Sequence, residues 1–207
     1  AFNEVNRYTD PGLTSAMKEK GYAKSGTTDW APDSPEAGIG AAWGNFIFYK
    51  TDKYSLIDSG SFALSDTPEV FHSFISYMDT QSKTNKEGRP RMCNWVYLES
   101  AATGDRFILA STHVQWAKTD EYNYNEIGLT VLAEQLNLLK DKYNCEVICA
   151  GDMNTSDVTI ITEAGFNSLN PWIPTFPGRA IDHIFCTSGV TPNDSPVGEY
   201  DYSDHIP

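Results

Sequence analysis

The sequence predicts a layered α/β or α+β domain. Three observations carry that expectation: short β-favouring runs paired around turns, one long segment of helical periodicity, and chemically active polar residues placed where strands end. In chain order, Phe46–Tyr49 and Tyr54–Ile57 are joined by Thr51-Asp52-Lys53 and predict a β-hairpin. Cys93–Leu98 and Arg106–His113 predict another pair around Ala102-Thr103-Gly104. From Ile127 to Tyr143 apolar residues recur at Ile127, Val131, Leu132, Leu136, Leu138 and Leu139, close to helical spacing. Glu146–Ala150 then predicts a buried strand, Val158–Ala164 a short helix and Ile181–Cys186 a further strand. Residues 25–44, rich in Gly, Ala, Pro and Asp, and the polar stretch 66–91 predict long loops, because the apolar segments beside them are too short for separate cores. No repeat, low-complexity tract or convincing interdomain linker appears, so 1–207 is expected to be one domain.

Composition narrows the function classes. The 207 residues are 40% hydrophobic, enough to build a core and incompatible with a disordered or collagen-like chain. Fifteen Lys and Arg stand against 28 Asp and Glu, a formal charge of −13, which argues against the basic stripe of a general nucleic-acid binder. A phosphate substrate stays compatible with this charge, because a metal ion and a few cations can supply a local positive field. No apolar run approaches the roughly 20 residues of a membrane-spanning helix. Cys93, Cys145, Cys149 and Cys186 are too few for a disulfide scaffold and lack zinc-site pairing, so buried thiols are expected, with Cys145 and Cys149 on one side of their strand. The chain opens at Ala1 without an initiator Met and stops at Pro207; a fragment is expected, and localisation is left open, with secretion following only from a signal peptide before Ala1.

Four places combine residues that make poor core and good chemistry: Asn3-Glu4, Ser111-Thr112-His113, Gly151-Asp152-Met153-Asn154, and the pair Ile181-Asp182-His183 with Ser203-Asp204-His205. Each has a plain alternative. Gly-Asp-x-Asn after a strand is commonly an Asx turn or a helix cap, and Asp182 has Arg179 as an ion-pair partner. His113 alone is an ordinary imidazole, and Glu4 an ordinary surface acid. Four such places in one order, each at a strand edge, point instead to a shared cleft on one rim of the sheet. Carboxylates and an Asn amide are hard oxygen donors, suited to Mg2+ or Mn2+. Helical His pairs for zinc, a Gly-x-Ser-x-Gly elbow and a Gly-x4-Gly-Lys-Ser/Thr loop are all missing. What remains is metal-assisted hydrolysis of a phosphoester, with a carboxylate helping to activate water and an imidazolium stabilising the developing charge.

These motifs, with Arg91 through Trp95, Ile181-Asp182-His183-Ile184 and Ser203-Asp204-His205-Ile206-Pro207, resemble in order those of the endonuclease/exonuclease/phosphatase superfamily, the DNase I-like and exonuclease III-like fold. Asn45–Lys50 followed by Leu56-Ile57-Asp58-Ser59-Gly60 resembles the hairpin after the first metal-ligand motif in bacterial members. The resemblance covers nearly the whole chain. It implies a four-layered α/β sandwich, two mixed β-sheets face to face with helices outside, and a Mg2+-dependent hydrolase of phosphoesters. Under it, Glu4 is the principal metal ligand, Asp204 lies beside the metal, and Asp152 and Asn154 handle the attacking water and touch the metal. His205 contacts the scissile phosphate and is oriented by Asp182, while His113 serves the transition state or leaving group. A carboxylate behind a histidine helps it keep its proton.

The chain also departs from the family pattern. The first strand, which ends in a metal-proximal Asn, and the closing strand after Ser-Asp-His-x-Pro fall outside 1–207. Asn3 stands where Gln is usual, and Ala41-Ala42-Trp43-Gly44 lacks the Glu that supports the histidine matching His113. The expected substrate is a nucleic acid, a phospholipid headgroup or a sugar or inositol phosphate, and the expected state a monomer. Trp30, Trp43, Trp95, Trp116 and Trp172 are expected mostly as core or loop anchors, although Trp116, three residues beyond His113, is placed to stack a base or touch a headgroup. The competing expectation is a non-catalytic scaffold or binding domain that has kept the fold.

Overall fold

The computed structural model describes residues 1–6, 8–30, 43–79, 84–87, 89–116, 118–119, 122–170, 173–191 and 205. Two sheets carry the chain. The larger has six strands in the order β12-β13-β11-β8-β7-β4: β4 (Tyr54–Ala63), β7 (Met92–Ser100), β8 (Arg106–His113), β11 (Glu146–Asp152), β12 (Asn167–Ser168) and β13 (Asp182–Cys186). The smaller has three, β1 (Phe2–Val5), β3 (Gly44–Lys50) and β2 (Tyr22–Ser25), with β3 central and antiparallel to both. Ribbons β5 (Ser76–Asp79) with β6 (Thr84–Glu87) and β9 (Lys118–Thr119) with β10 (Tyr122–Asn123) complete the described strands.

Side-chain alternation explains the layers. On β7, Cys93, Trp95 and Tyr97 face one core while Val96 and Leu98 face another. The first core lies under α2 (Tyr124–Tyr143), whose Leu129, Leu132 and Leu136 are buried there, and under Ile161 of α3 (Thr159–Glu163). The second joins the sheets, with Ile47 of β3 against Val96 and Leu98. Beyond the smaller sheet, α1 (Asp10–Glu19) packs Leu13 and Met17 on Val5, Phe46 and Phe48. Helix, sheet, sheet and helix make the four layers that the resemblance implies. The larger sheet is mixed, and the described strands of the smaller are all antiparallel.

The second pairing is as expected: β7 and β8 are antiparallel, from Glu99↔Arg106 to Asn94↔Ser111. Helix α2 starts three residues before Ile127 because Asn123 caps it, its side chain accepting from Glu126 N. The first predicted hairpin is corrected. Lys53 N does donate to Lys50 O, but β3 and β4 then part, β3 into the smaller sheet and β4 to β7 in the larger. Both edges of β3 are already paired, with β1 on one side and β2 on the other, so β4 finds its ladder partner in β7 of the larger sheet, while the two faces of β3 are covered by α1 and by that sheet. The stretch 66–91, expected as loop, holds the β5–β6 ribbon. All four cysteines are free, and Cys145 and Cys149 pack on the same core.

Candidate active site

One strand pair builds the rim. Strands β8 and β11 run parallel, joined by α2 as the crossover, and their last residues are partners, His113 beside Asp152. Strand β13 runs antiparallel on the other side of β11 and sets Asp182 opposite Asp152. Three separate strand ends therefore present His, Asp and Asp side by side. The close approach needs Gly151: a Cβ there would lie 1.9 Å from the Thr112 carbonyl oxygen. The ladder continues past the strand ends through Val114 N to Asp152 O at 2.8 Å and Met153 N to Ile181 O at 2.7 Å.

Asp152 divides its two oxygens. Oδ1 accepts from Asn154 N at 2.7 Å, which is the Asx turn anticipated for Gly-Asp-x-Asn. Oδ2 faces two imidazoles, His113 Nε2 at 3.5 Å and His205 Nε2 at 4.0 Å. On its far side His205 Nδ1 meets Asp182 Oδ2 at 2.7 Å, and the ring of Phe176 lies 5.1 Å from the imidazole. Asp182 therefore holds His205, and Arg179 turns elsewhere, its Nη2 donating to Asn154 O at 3.1 Å. Glu4 reaches the same place from the other sheet, with Oε1 3.3 Å from His113 Nδ1. Asn3 ties the sheets together by accepting from Ser111 Oγ at 3.2 Å. Glu4 and Asn154 both have positive φ, 55° and 54°, a conformation that side chains with a Cβ adopt at a cost and that recurs at functional sites.

Burial sets the charges. Asp152 is pushed up to about 6 because desolvation penalises its anion; the hydrogen bond from Asn154 opposes this, and the charges of Asp182 and Glu4 add to it. His113 is driven down to about 2, first by burial and then by Arg91 and His205. The geometry agrees. Arg91 Nη1 lies 3.1 Å from Nδ1 and Asn154 Nδ2 lies 2.9 Å from Nε2, so a doubly protonated ring would face a donor at each nitrogen. Burial and these two donors favour the neutral form of His113. Either tautomer finds an acceptor, Glu4 beside Nδ1 or Asp152 beside Nε2.

Behind His113 lies a buried polar layer that the sequence did not single out. Arg91 Nη1 also meets Asp29 Oδ2 at 3.2 Å, and its Nε donates to Gln115 Oε1 at 3.4 Å. Asp29 Oδ1 accepts from Met92 N at 2.9 Å and from Asn45 Nδ2 at 3.2 Å. The loop carrying Asp29 is pinned by Asn94, whose amide both accepts from Thr27 N and donates to Thr27 O. Arg91 appeared only as the first residue of a motif, and Asp29 lies in a Gly- and Pro-rich stretch without periodicity. The one available signal was a charged residue opening an otherwise apolar strand. Asp204, Ala41 and Ala42 lie outside the described residues.

Among the described residues, Asp152, Asp182 and His205 each offer a ligand atom, all within 4.8 Å of one another. The donor set fits a hard divalent cation, because two of its three members are carboxylates.

Comparison with known proteins found no matching family model and no matching curated sequence. Solved structures do match. The mannosyl-6-phosphatase of Bacteroides thetaiotaomicron aligns with a TM-score of 0.70 at 19% identity, over 99% of this chain and 80% of its own. The human Nocturnin catalytic domain gives 0.69 at 18% identity, over 99% and 76%. An endonuclease/exonuclease/phosphatase of Bacteroides vulgatus gives 0.67 at 19%, over 90% and 71%. At these identities the likeness establishes the fold.

Proposed function

We propose that this chain, which has the endonuclease/exonuclease/phosphatase fold, hydrolyses phosphoesters at the β8–β11–β13 rim with a divalent cation, Mg2+ or Mn2+. One observation carries this: Glu4, His113, Asp152, Asn154, Asp182 and His205, from both sheets, form one continuous cluster of side chains. Two of the similar proteins carry phosphatase in their names, which supports the reaction class.

Glu4 and Asp152 would supply oxygen donors for the cation, with Asp204 as the further ligand the resemblance implies. A bound divalent cation supplies Lewis acidity toward the phosphoryl oxygens. Asp152 Oδ2 accepts the proton of the attacking water, and Asn154 fixes that carboxylate through its backbone N–H. His205, held at Nδ1 by Asp182, presents Nε2 toward the phosphate. His113 contributes a neutral N–H, a hydrogen-bond donor rather than a charge. The water oxygen forms a bond to phosphorus, the ester P–O bond breaks, and the leaving oxygen takes up a proton.

The test is hydrolysis of para-nitrophenyl phosphate and its bis-ester with Mg2+, with EDTA, and in Asp152→Asn. Turnover should require the metal and fall by roughly 10²–10⁴ in the variant. Parent-level turnover in excess chelator or in Asp152→Asn would overturn the proposal.

A further inference from the structure

Beside the rim, sharing Asn154 with it, lies a cavity of about 580 Å³ walled by Trp116, Thr155, Asp157, Glu126 and Arg179 among others. Its size lies within the range of small-molecule sites, roughly 300–1,000 Å³. Asn154 faces both spaces: its amide nitrogen lies 2.9 Å from His113 Nε2, and its carbonyl accepts from Arg179. A phosphate at the rim would therefore have its organic part at the mouth of this cavity.

We propose that this cavity holds the leaving group and that the preferred substrate is a phosphomonoester of a small polyhydroxylated molecule, a sugar phosphate in chemical class. The inference rests on the phosphoester-hydrolase reading of the adjacent rim. Three features select this chemistry. Trp116, three residues past the end of β8, is 68% exposed, whereas Trp95 on β7 is 8% exposed in the core, so the Trp116 indole offers an exposed apolar surface to the C–H face of a sugar ring. Asp157 and Glu126 offer carboxylate oxygens, which accept from hydroxyl groups and repel a second phosphate. Arg179 is the one cation among the described lining residues, and it sits at the border with the rim, where a single phosphate arrives. A polynucleotide would bring further phosphates against Asp157 and Glu126, on a chain whose formal charge is already −13. Hydrolysis releases the polyol with its oxygen protonated, plus inorganic phosphate, and consumes only water.

The experiment compares kcat/KM with Mg2+ on glucose 6-phosphate, a phosphorylated oligosaccharide, methyl phosphate, adenosine 5′-monophosphate and a single-stranded oligonucleotide. Calorimetric binding of glucose 6-phosphate provides a readout independent of turnover. The parent should prefer a sugar phosphate over methyl phosphate, and the two sugar arms separate a free sugar from a glycan end. Trp116→Ala should lower the ratio of glucose 6-phosphate to methyl phosphate by about tenfold, the worth of one good aromatic contact, and weaken calorimetric binding equally. Trp116→Phe should restore most of both. Turnover that favours the nucleotide or the oligonucleotide, or a ratio unmoved by Trp116→Ala, overturns this inference and leaves the hydrolase reading standing. No turnover of any substrate overturns the hydrolase reading, and this inference with it.

Discussion

Replacing Gly151 by Ala tests whether the spacing of β8 and β11 creates the site. The added Cβ would stand 1.9 Å from Thr112 O, 2.9 Å from Thr112 C and 3.2 Å from Thr112 N. Ordinary contact begins at about 3.4 Å, so the strands must separate by about 1.5 Å, and the obstacle is backbone, which cannot rotate away. Thr112↔Gly151 is the pair immediately before His113↔Asp152, so the movement passes directly to the reacting groups. Overpacking of this kind costs about 1–3 kcal/mol, and a misplacement of about 1 Å at an active site costs roughly 10² in rate. Urea denaturation followed by tryptophan fluorescence gives the first number, and Mg2+-dependent phosphoester hydrolysis the second. Gly12→Ala is the control: nothing lies within 4 Å of its Cβ, and alanine within α1 gains up to about 1 kcal/mol over glycine. Gly151→Ala with the parent's midpoint and turnover would refute the claim that strand spacing sets the site.

Three further outcomes follow from single residues. Glu4→Gln keeps the shape of a residue at φ 55° but removes an ionised oxygen; the Mg2+ concentration for half-maximal turnover should rise about tenfold or more while the urea midpoint holds, and an unchanged Mg2+ titration would remove Glu4 from the metal set. Asp182→Asn replaces the charge-assisted acceptor 2.7 Å from His205 Nδ1, so kcat should fall by roughly 10–10² with a smaller change in KM; parent kcat would show that this contact does not position the ring. Asp29, buried and raised from 3.8 to about 6 by desolvation against the opposing pull of Arg91, contributes stability that is fully present below pH 3.8 and lost as pH rises through about 6. The stability of the parent relative to Asp29→Asn should therefore decline as pH rises from 3.5 to 7, measured by denaturation without metal; a pH-independent difference would refute the assignment.

How far this site could be read from sequence depended on where each residue's partner lies. Asp152 and Asn154 make a local turn, two residues apart, and Gly-Asp-x-Asn after an apolar strand announces it. His113 and Asp182 were legible because an apolar strand ending in a polar group aims that group at a rim, and β8, β11 and β13 do converge there. The split of β3 from β4 was harder, since the turn at Thr51–Lys53 looks the same whether its strands pair or part. The informative feature was Phe46-Ile47-Phe48, three consecutive apolar residues where a half-exposed hairpin strand would alternate. Least visible was the state of His113. The pull toward its neutral form comes first from burial and then from Arg91, 22 residues earlier, which Asp29 holds from a loop that Asn94 pins at Thr27, 67 residues away in sequence. No local pattern encodes a cation placed behind a histidine by two sheets. That arrangement changes the chemistry: the missing glutamate at 41–44 would have favoured a charged ring, whereas an arginine beside Nδ1 favours a neutral one. In the proposed reaction, charge stabilisation at the rim would then rest on His205, Arg179 and the cation, with His113 left to position and donate.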